Sequence, residues 1–215
     1  VICFVWGSGY SEHEPTTVPY GGRTKVLHTN PLSMGFPLGN QPPMLLDFAT
    51  TAISGSKVEL SGRKNMKVDS GSIVDKNGDP TVNPGDFFNG GAHLPFGGHK
   101  GYSIMMAVEF LGRIFTGSDS YADPDRGGVY MRHQGITMMG MKADTFASID
   151  DYETRASEMS RRVRSVPPAK GFKEVLLPGD VEARAREKRK LKGVPLADEV
   201  WDMLTDLAKS LDVEI

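Results

Sequence analysis

Leu94-Pro95-Phe96-Gly97-Gly98-His99-Lys100-Gly101-Tyr102 sets three glycines around a histidine and a lysine, directly before the apolar run Ser103-Ile104-Met105-Met106-Ala107-Val108. A helix that starts here exposes unpaired N–H groups and the positive end of its macrodipole, which suits an anion. Glycines let the backbone come close to a ligand, and Lys100 adds a full charge. The chemistry is that of a pocket for a phosphate or a carboxylate. The same residues also read as a solvated loop that caps a core helix, because connectors of this kind are common.

Other stretches imitate known chemistry and fail on a specific residue. Gly7-Ser8-Gly9-Tyr10-Ser11-Glu12 follows an apolar strand as a dinucleotide fingerprint does. Glu12 stands where the third glycine belongs, and Pro15 opposes the helix that must follow. Lys100 precedes Gly101 rather than Ser or Thr, so no hydroxyl is placed for magnesium and the loop is not a P-loop. Asp75, Asn77 and Asp79 alternate as in a calcium loop, but Pro80 takes the obligatory glycine position and Asp86 that of the bidentate glutamate. Asn77-Gly78 therefore reads as a turn, and no metal is expected. His13, His28, His93, His99 and His133 are scattered without metal-ligand spacing, and no Gly-x-Ser-x-Gly elbow is present. Only His99 has neighbours that suit a functional role. Asp47-Phe48-Ala49-Thr50-Thr51-Ala52 ends a strand with an acid and two hydroxyls. That is either a wall of a site at a strand's carboxyl end or a strand end bonding its own turn.

Several elements must hold these residues in place. Val1 to Trp6, Val26-Leu27 and Met44 to Phe48 are short apolar segments bounded by turn residues and are expected to be strands, the last two buried. A helix is expected over Thr51 to Leu60, then a loop-rich stretch over 65–93 with a tight turn at Asn77-Gly78. Tyr102 to Phe115 is apolar nearly all round and is expected to be a central buried helix, with Glu109 and Arg113 paired one turn apart. Ser148 caps an amphipathic helix whose apolar face is Ile149, Tyr152, Ala156, Met159 and Val163, with acids early and arginines late. A strand from Lys173 to Leu177 is expected before Pro178-Gly179-Asp180. A charged helix follows from Val181 to Lys190. A last helix after Pro195 is expected to bury Val200, Leu204, Leu207 and Leu211. Strands mixed with helices make the class α/β.

Composition narrows the role. The chain has 215 residues, 39% hydrophobic and 24% charged, with a formal charge of −2. That is an ordinary globular composition, and the charge argues against a nucleic-acid or membrane-surface role. Cys3 is the single cysteine, which excludes an internal disulfide and a cysteine metal cage and fits a reducing, cytoplasmic setting. The opening apolar run is too short for a signal peptide or membrane span.

Taken in order, Thr29-Asn30-Pro31-Leu32-Ser33, Asp47-Phe48-Ala49-Thr50-Thr51, Asp75-Lys76-Asn77-Gly78-Asp79-Pro80-Thr81, the Leu94 to Tyr102 loop and Pro178-Gly179-Asp180 resemble the type-2 malate/L-lactate dehydrogenase family. The landmarks span almost the whole chain. The resemblance implies NAD(P)-dependent hydride transfer between a 2-hydroxy acid (or cyclic imino acid) and its oxidised partner. It also implies a non-Rossmann, three-layer α/β arrangement with a mixed β-sheet, like that of L-sulfolactate dehydrogenase, and a homodimer with cofactor near the subunit interface. By position, Asp47, Phe48, Ala49, Thr50 and Thr51, on to Ile53, would line the site of NAD or NADP. His99, Lys100 and Gly101 would contact the dinucleotide, Gly179 and Asp180 would sit against it, and Thr29 and Asn30 would lie close to the reacting centre.

The family's acid/base histidine belongs to a Ser-x-His element that nothing in this sequence matches, and His13, followed by Glu14-Pro15, cannot be transferred into that role. Residues 1–215 are thus expected to be the cofactor-binding major part of a single malate/L-lactate dehydrogenase-like unit, with the N-terminal catalytic segment absent. Lesser departures are His28 for glycine, Ser72 for tryptophan and Asp180 for glutamate. The rival expectations are a non-catalytic nucleotide-binding subunit and an unrelated module in which the Lys100 loop holds an anionic metabolite.

Overall fold

The computed structural model describes residues 1–8, 14–118 and 134–214. His13, His133 and residues 9–12 of the glycine–serine run lie outside them. The larger sheet is built from β1 (Ile2–Gly7), β2 (Pro31–Leu38), β3 (Gln41–Ala49) and β7 (Ile136–Met141), in the order β3-β2-β1-β7. Every pair in it is antiparallel. A two-residue turn at Gly39 and Asn40 joins β2 to β3, and the register slips between Phe36 and Leu38, where Pro37 has no N–H to offer the ladder. A smaller antiparallel sheet holds β4 (Ile73–Val74), β5 (Pro80–Thr81) and β6 (Ala92–His93), in the order β5-β4-β6. Among the described residues parallel pairing is confined to an isolated bridge, Thr17 with His93, and Thr17 also bridges Leu27 in the antiparallel sense.

The helices are α1 (Gly55–Arg63), α2 (Pro84–Phe88), α3 (His99–Glu109), α4 (Ile149–Arg164), α5 (Asp180–Lys192) and α6 (Asp198–Ser210). A π-helical turn, Phe110–Ile114, continues α3. Two small clusters form the core around the minor sheet. One joins Val18, Val74 and Ala92 with Leu94; the other joins Val58, Val68 and Ile73 with Ile53 and Phe87. Asp75 makes the expected turn: its Oδ1 accepts from the N–H groups of Asn77 (2.8 Å) and Asp79 (3.0 Å). Those donors hold its carboxyl below the usual carboxylate range. Among the described residues no three His, Cys, Asp or Glu side chains gather as a metal group, and no helix is long and apolar enough to cross a membrane.

Five expectations need correction. Val26-Leu27 is not a strand, and only Leu27 bridges Thr17. The helix expected from Thr51 starts at Gly55, because Ser54 caps it and Thr51 is already paired with Pro95. Lys173 to Leu177 forms no strand; the segment is pinned to β3 by one backbone bond, Leu45 N–H to Pro178 O (3.0 Å). The helix through Tyr102 and its continuation are buried along Gly101, Met105, Val108, Glu109 and Gly112, while Ile104, Phe110, Ile114 and Phe115 are exposed. The apolar faces of α4 and α6 are likewise open at Ile149, Met159, Val200, Leu204, Leu207 and Leu211. Periodicity finds which face of a helix is apolar, but not what lies against it.

Candidate nucleotide site

The glycine loop is strapped to the end of β3. Ala52 N–H donates to Leu94 O (2.9 Å), Phe96 N–H to Thr50 O (3.0 Å), and Leu94 N–H to Ser72 O (3.0 Å). These bonds carry the chain to Gly97 and Gly98, both at positive φ (59° and 63°), where α3 begins without any side-chain cap. Glycine adopts that backbone without strain. Gly101 is required for a different reason: a Cβ there would lie 1.6 Å from the carbonyl oxygen of Phe96. The first turn of α3 contains no acid, and Lys100 is exposed and forms no ion pair among the described residues. The ring of His99 meets Tyr20 edge-on, with centroids 6.0 Å apart. An uncapped helix start with a free ammonium group can receive an anion.

Beneath this loop lies a buried polar network. Asn30 is fully buried; its Nδ2 donates to Met105 O (3.1 Å) and to Glu109 Oε2 (3.2 Å), and its Oδ1 accepts from the Thr50 hydroxyl. Glu109 in turn pairs with Arg113 at 2.6 Å, both side chains largely buried. Thr29 and Thr51 share a hydroxyl–hydroxyl bond of 2.8 Å. The network brings Thr29, Asn30, Thr50 and Thr51 together with the helix that carries His99 and Lys100. It also shows that Asn30 spends its side chain on the protein itself, whereas Thr29 is only half-buried. His28 donates from Nδ1 to Thr29 O (2.9 Å). His93 is buried against Phe87, and that burial, with His28 nearby, pushes its pKa down to about 4.

Asp47 and Phe48 are exposed on β3 and line a cleft of about 430 Å³ with Leu45, Leu46 and the segment Leu177, Pro178, Gly179, Val181 and Glu182. Phe48 also meets Phe96 edge-on at 5.5 Å, so the cleft opens toward the glycine loop. Gly179 closes its edge at φ 94°, where a Cβ would stand 3.0 Å from Leu45 N. The Asp180 side chain turns away from the cleft. Its carboxylate accepts from Arg164 Nε (3.0 Å) and Nη2 (2.7 Å) and from Leu177 N–H (2.8 Å), which holds its pKa below the ordinary value. A roomier groove of about 710 Å³ between α1 and α2 contains none of the residues expected to act, and Arg63 on its wall is paired with Glu59. Chemistry, not volume, favours the β3 face.

Sequence reasoning passed over Phe96, Gln41 and Arg164. Local sequence marks Arg164 only as a cation at a helix C-terminus, and no local spacing ties it to Asp180.

The model of the malate/L-lactate dehydrogenase family matches residues 3–205. The chain belongs to this family. It is 32% identical over 208 residues to the malate/(S)-sulfolactate dehydrogenase of Methanothermus fervidus, and 34% identical over 207 residues to the L-lactate dehydrogenase of Cupriavidus necator. Each alignment takes in 94% of this chain and 58% of the relative. The sulfolactate dehydrogenase structure from Methanocaldococcus jannaschii superposes with a TM-score of 0.83 at 29% identity, covering 99% of this chain and 60% of that one. The non-Rossmann α/β class expected from the motifs is thereby established. The chain spans just under three-fifths of the length of these relatives.

Proposed function

We propose that this chain carries the nucleotide-binding surface of an oxidoreductase that moves a hydride between NAD or NADP and a 2-hydroxy acid/2-oxo acid pair of the malate or lactate type. The uncapped start of α3, with Lys100 beside it and the Phe48 cleft next to it, is the observation that carries this reading. The site fits such a group. A nucleotide presents a doubly charged phosphate bridge, and the only side-chain charge at the loop is positive.

On this reading Asp47, Phe48 and Ala49 form one wall. The amides of His99 and Gly101 and the ammonium group of Lys100 hold the phosphate bridge, with the His99 ring beside it. Thr50 and Thr51 fix the loop through their backbone and hydroxyl bonds. Gly179 and Asp180 border the adenosine side. Thr29 lies nearest the reacting centre, and Asn30 orients it from below. The nicotinamide supplies or accepts the hydride when bound. Reduction of an oxo acid also needs a proton at the forming hydroxyl, and a positioned acid contributes about 10²–10⁴-fold to such a step. We further place the protein in the cytoplasm as a homodimer, following the family.

Fluorescence titration with NADH and NADPH tests the reading. Binding by the parent chain that weakens about tenfold in Lys100→Ala, the loss expected of one charge-assisted phosphate contact, supports it. Absence of affinity for both nucleotides overturns it. A second reading, a nucleotide-binding unit without chemistry of its own, is favoured by the described histidines. His93 is buried, His28 is bonded to a carbonyl and His99 lies on Tyr20. Turnover of pyruvate or oxaloacetate by the chain would eliminate it.

A further inference from the structure

We propose that Arg164 is a positioning residue for the nucleotide cleft, setting its far wall through Asp180. The inference rests on the nucleotide reading above. The turn at Pro178 and Gly179 is held to β3 by a single backbone bond, Leu45 N–H to Pro178 O, and its glycine sits at positive φ. One such bond is a weak restraint on a wall that must keep its place. The remaining restraint comes from outside the cleft.

Arg164, in the last turn of α4, grips Asp180 with two parallel bonds of 3.0 and 2.7 Å, and its Nη1 donates to Gln41 Oε1 at 2.8 Å. Asp180 passes the restraint to the turn by accepting from Leu177 N–H while its own N–H donates to Leu177 O at 3.1 Å. One guanidinium therefore ties the end of α4, the first residue of β3 and the start of α5 to one point. The fork geometry matters: lysine offers a point charge and cannot make both bonds to Asp180 while also reaching Gln41. Asp180 thus serves the cleft without facing it, and Arg164 serves it without reaching it.

The test uses the 215-residue chain. Dissociation constants for NADH and NADPH are measured for the parent, Arg164→Ala, Arg164→Lys and Arg184→Ala, at a temperature well below every melting transition. Arg184, on α5 with Asp180, pairs with Glu174 outside that helix and does not line the cleft, so its variant controls for loss of a nearby ion pair. Arg164→Ala should bind about tenfold more weakly, Arg164→Lys should recover only part of that loss, and Arg184→Ala should stay within about twofold of the parent. Millimolar guanidinium should restore part of the affinity of Arg164→Ala and leave the parent unchanged, an effect that general destabilisation would not produce. Parent-like binding by Arg164→Ala, or equal losses in Arg164→Ala and Arg184→Ala, overturns the proposal and leaves the nucleotide reading standing. A parent chain that binds neither nucleotide overturns both.

Discussion

Two arginine–carboxylate pairs in this molecule have nearly the same length and opposite surroundings. Arg113–Glu109 spans 2.6 Å with side chains 14% and 3% exposed; Arg184–Glu174 spans 2.5 Å with side chains 57% and 50% exposed. In water the second pair gains little, because solvent already screens each charge and ordering two long side chains opposes the attraction. The first pair stands where water compensates neither charge well, and Glu109 also accepts from Asn30. The comparison shows that an ion pair organises structure in proportion to the solvent it has lost. Arg164–Asp180, at 29% and 14%, lies between them.

Removing one buried partner is the hardest test of that contrast. Glu109→Leu should lower unfolding stability by about 3–5 kcal/mol, since it breaks a buried ion pair and takes an acceptor from Asn30. Glu109→Leu combined with Arg113→Leu should recover most of the loss. Urea denaturation of both variants is the check, and a double variant no more stable than the single would sink the argument from burial of the pair.

A buried titratable group gives a smaller effect. Burial lowers the His93 pKa from 6.5 to about 4, so the folded chain refuses a proton that the unfolded chain accepts. Above pH 6.5 both states are neutral at this position and it contributes nothing to pH dependence. As pH falls from 6.5 to 4, stability should decline by up to about 3 kcal/mol, with no further loss from this group below that range. His93→Leu should flatten the urea midpoint over this window. An unchanged slope in the variant would show that the ring is not the source. The smallest effect belongs to the exposed pair: Arg184→Ala should leave the thermal midpoint where it is, and a clear fall would erase the distinction drawn between the two pairs.

Much of the site was legible in the residues themselves. Gly97, Gly98 and Gly101 announced a backbone that comes close to something, and the structure supplies the reason in positive φ angles and in the Phe96 carbonyl under Gly101. Ser148 marked its helix because a cap is a local event, its hydroxyl accepting from Asp151 N–H. The strand expected from Lys173 failed because apolar residues bounded by prolines need a neighbour to pair with, and that neighbour was 128–132 positions away in β3 and offered one bond. Val26-Leu27 differs: it finds a near neighbour in Thr16 and Thr17, but the pairing stops at one bridge.

The sequence alone determined the features that arise within a few residues: caps, turns, the presence of a helix after the glycine loop, and the order of motifs that places the chain in its family. Tertiary structure alone decided which groups meet across long separations. It set Asn30 under Glu109, Phe48 against Phe96, and Arg164 on Asp180. The physical reason is range. Backbone torsions and capping bonds act over one turn of chain, whereas burial and ion pairing depend on distances that exist only after the sheets and helices have packed.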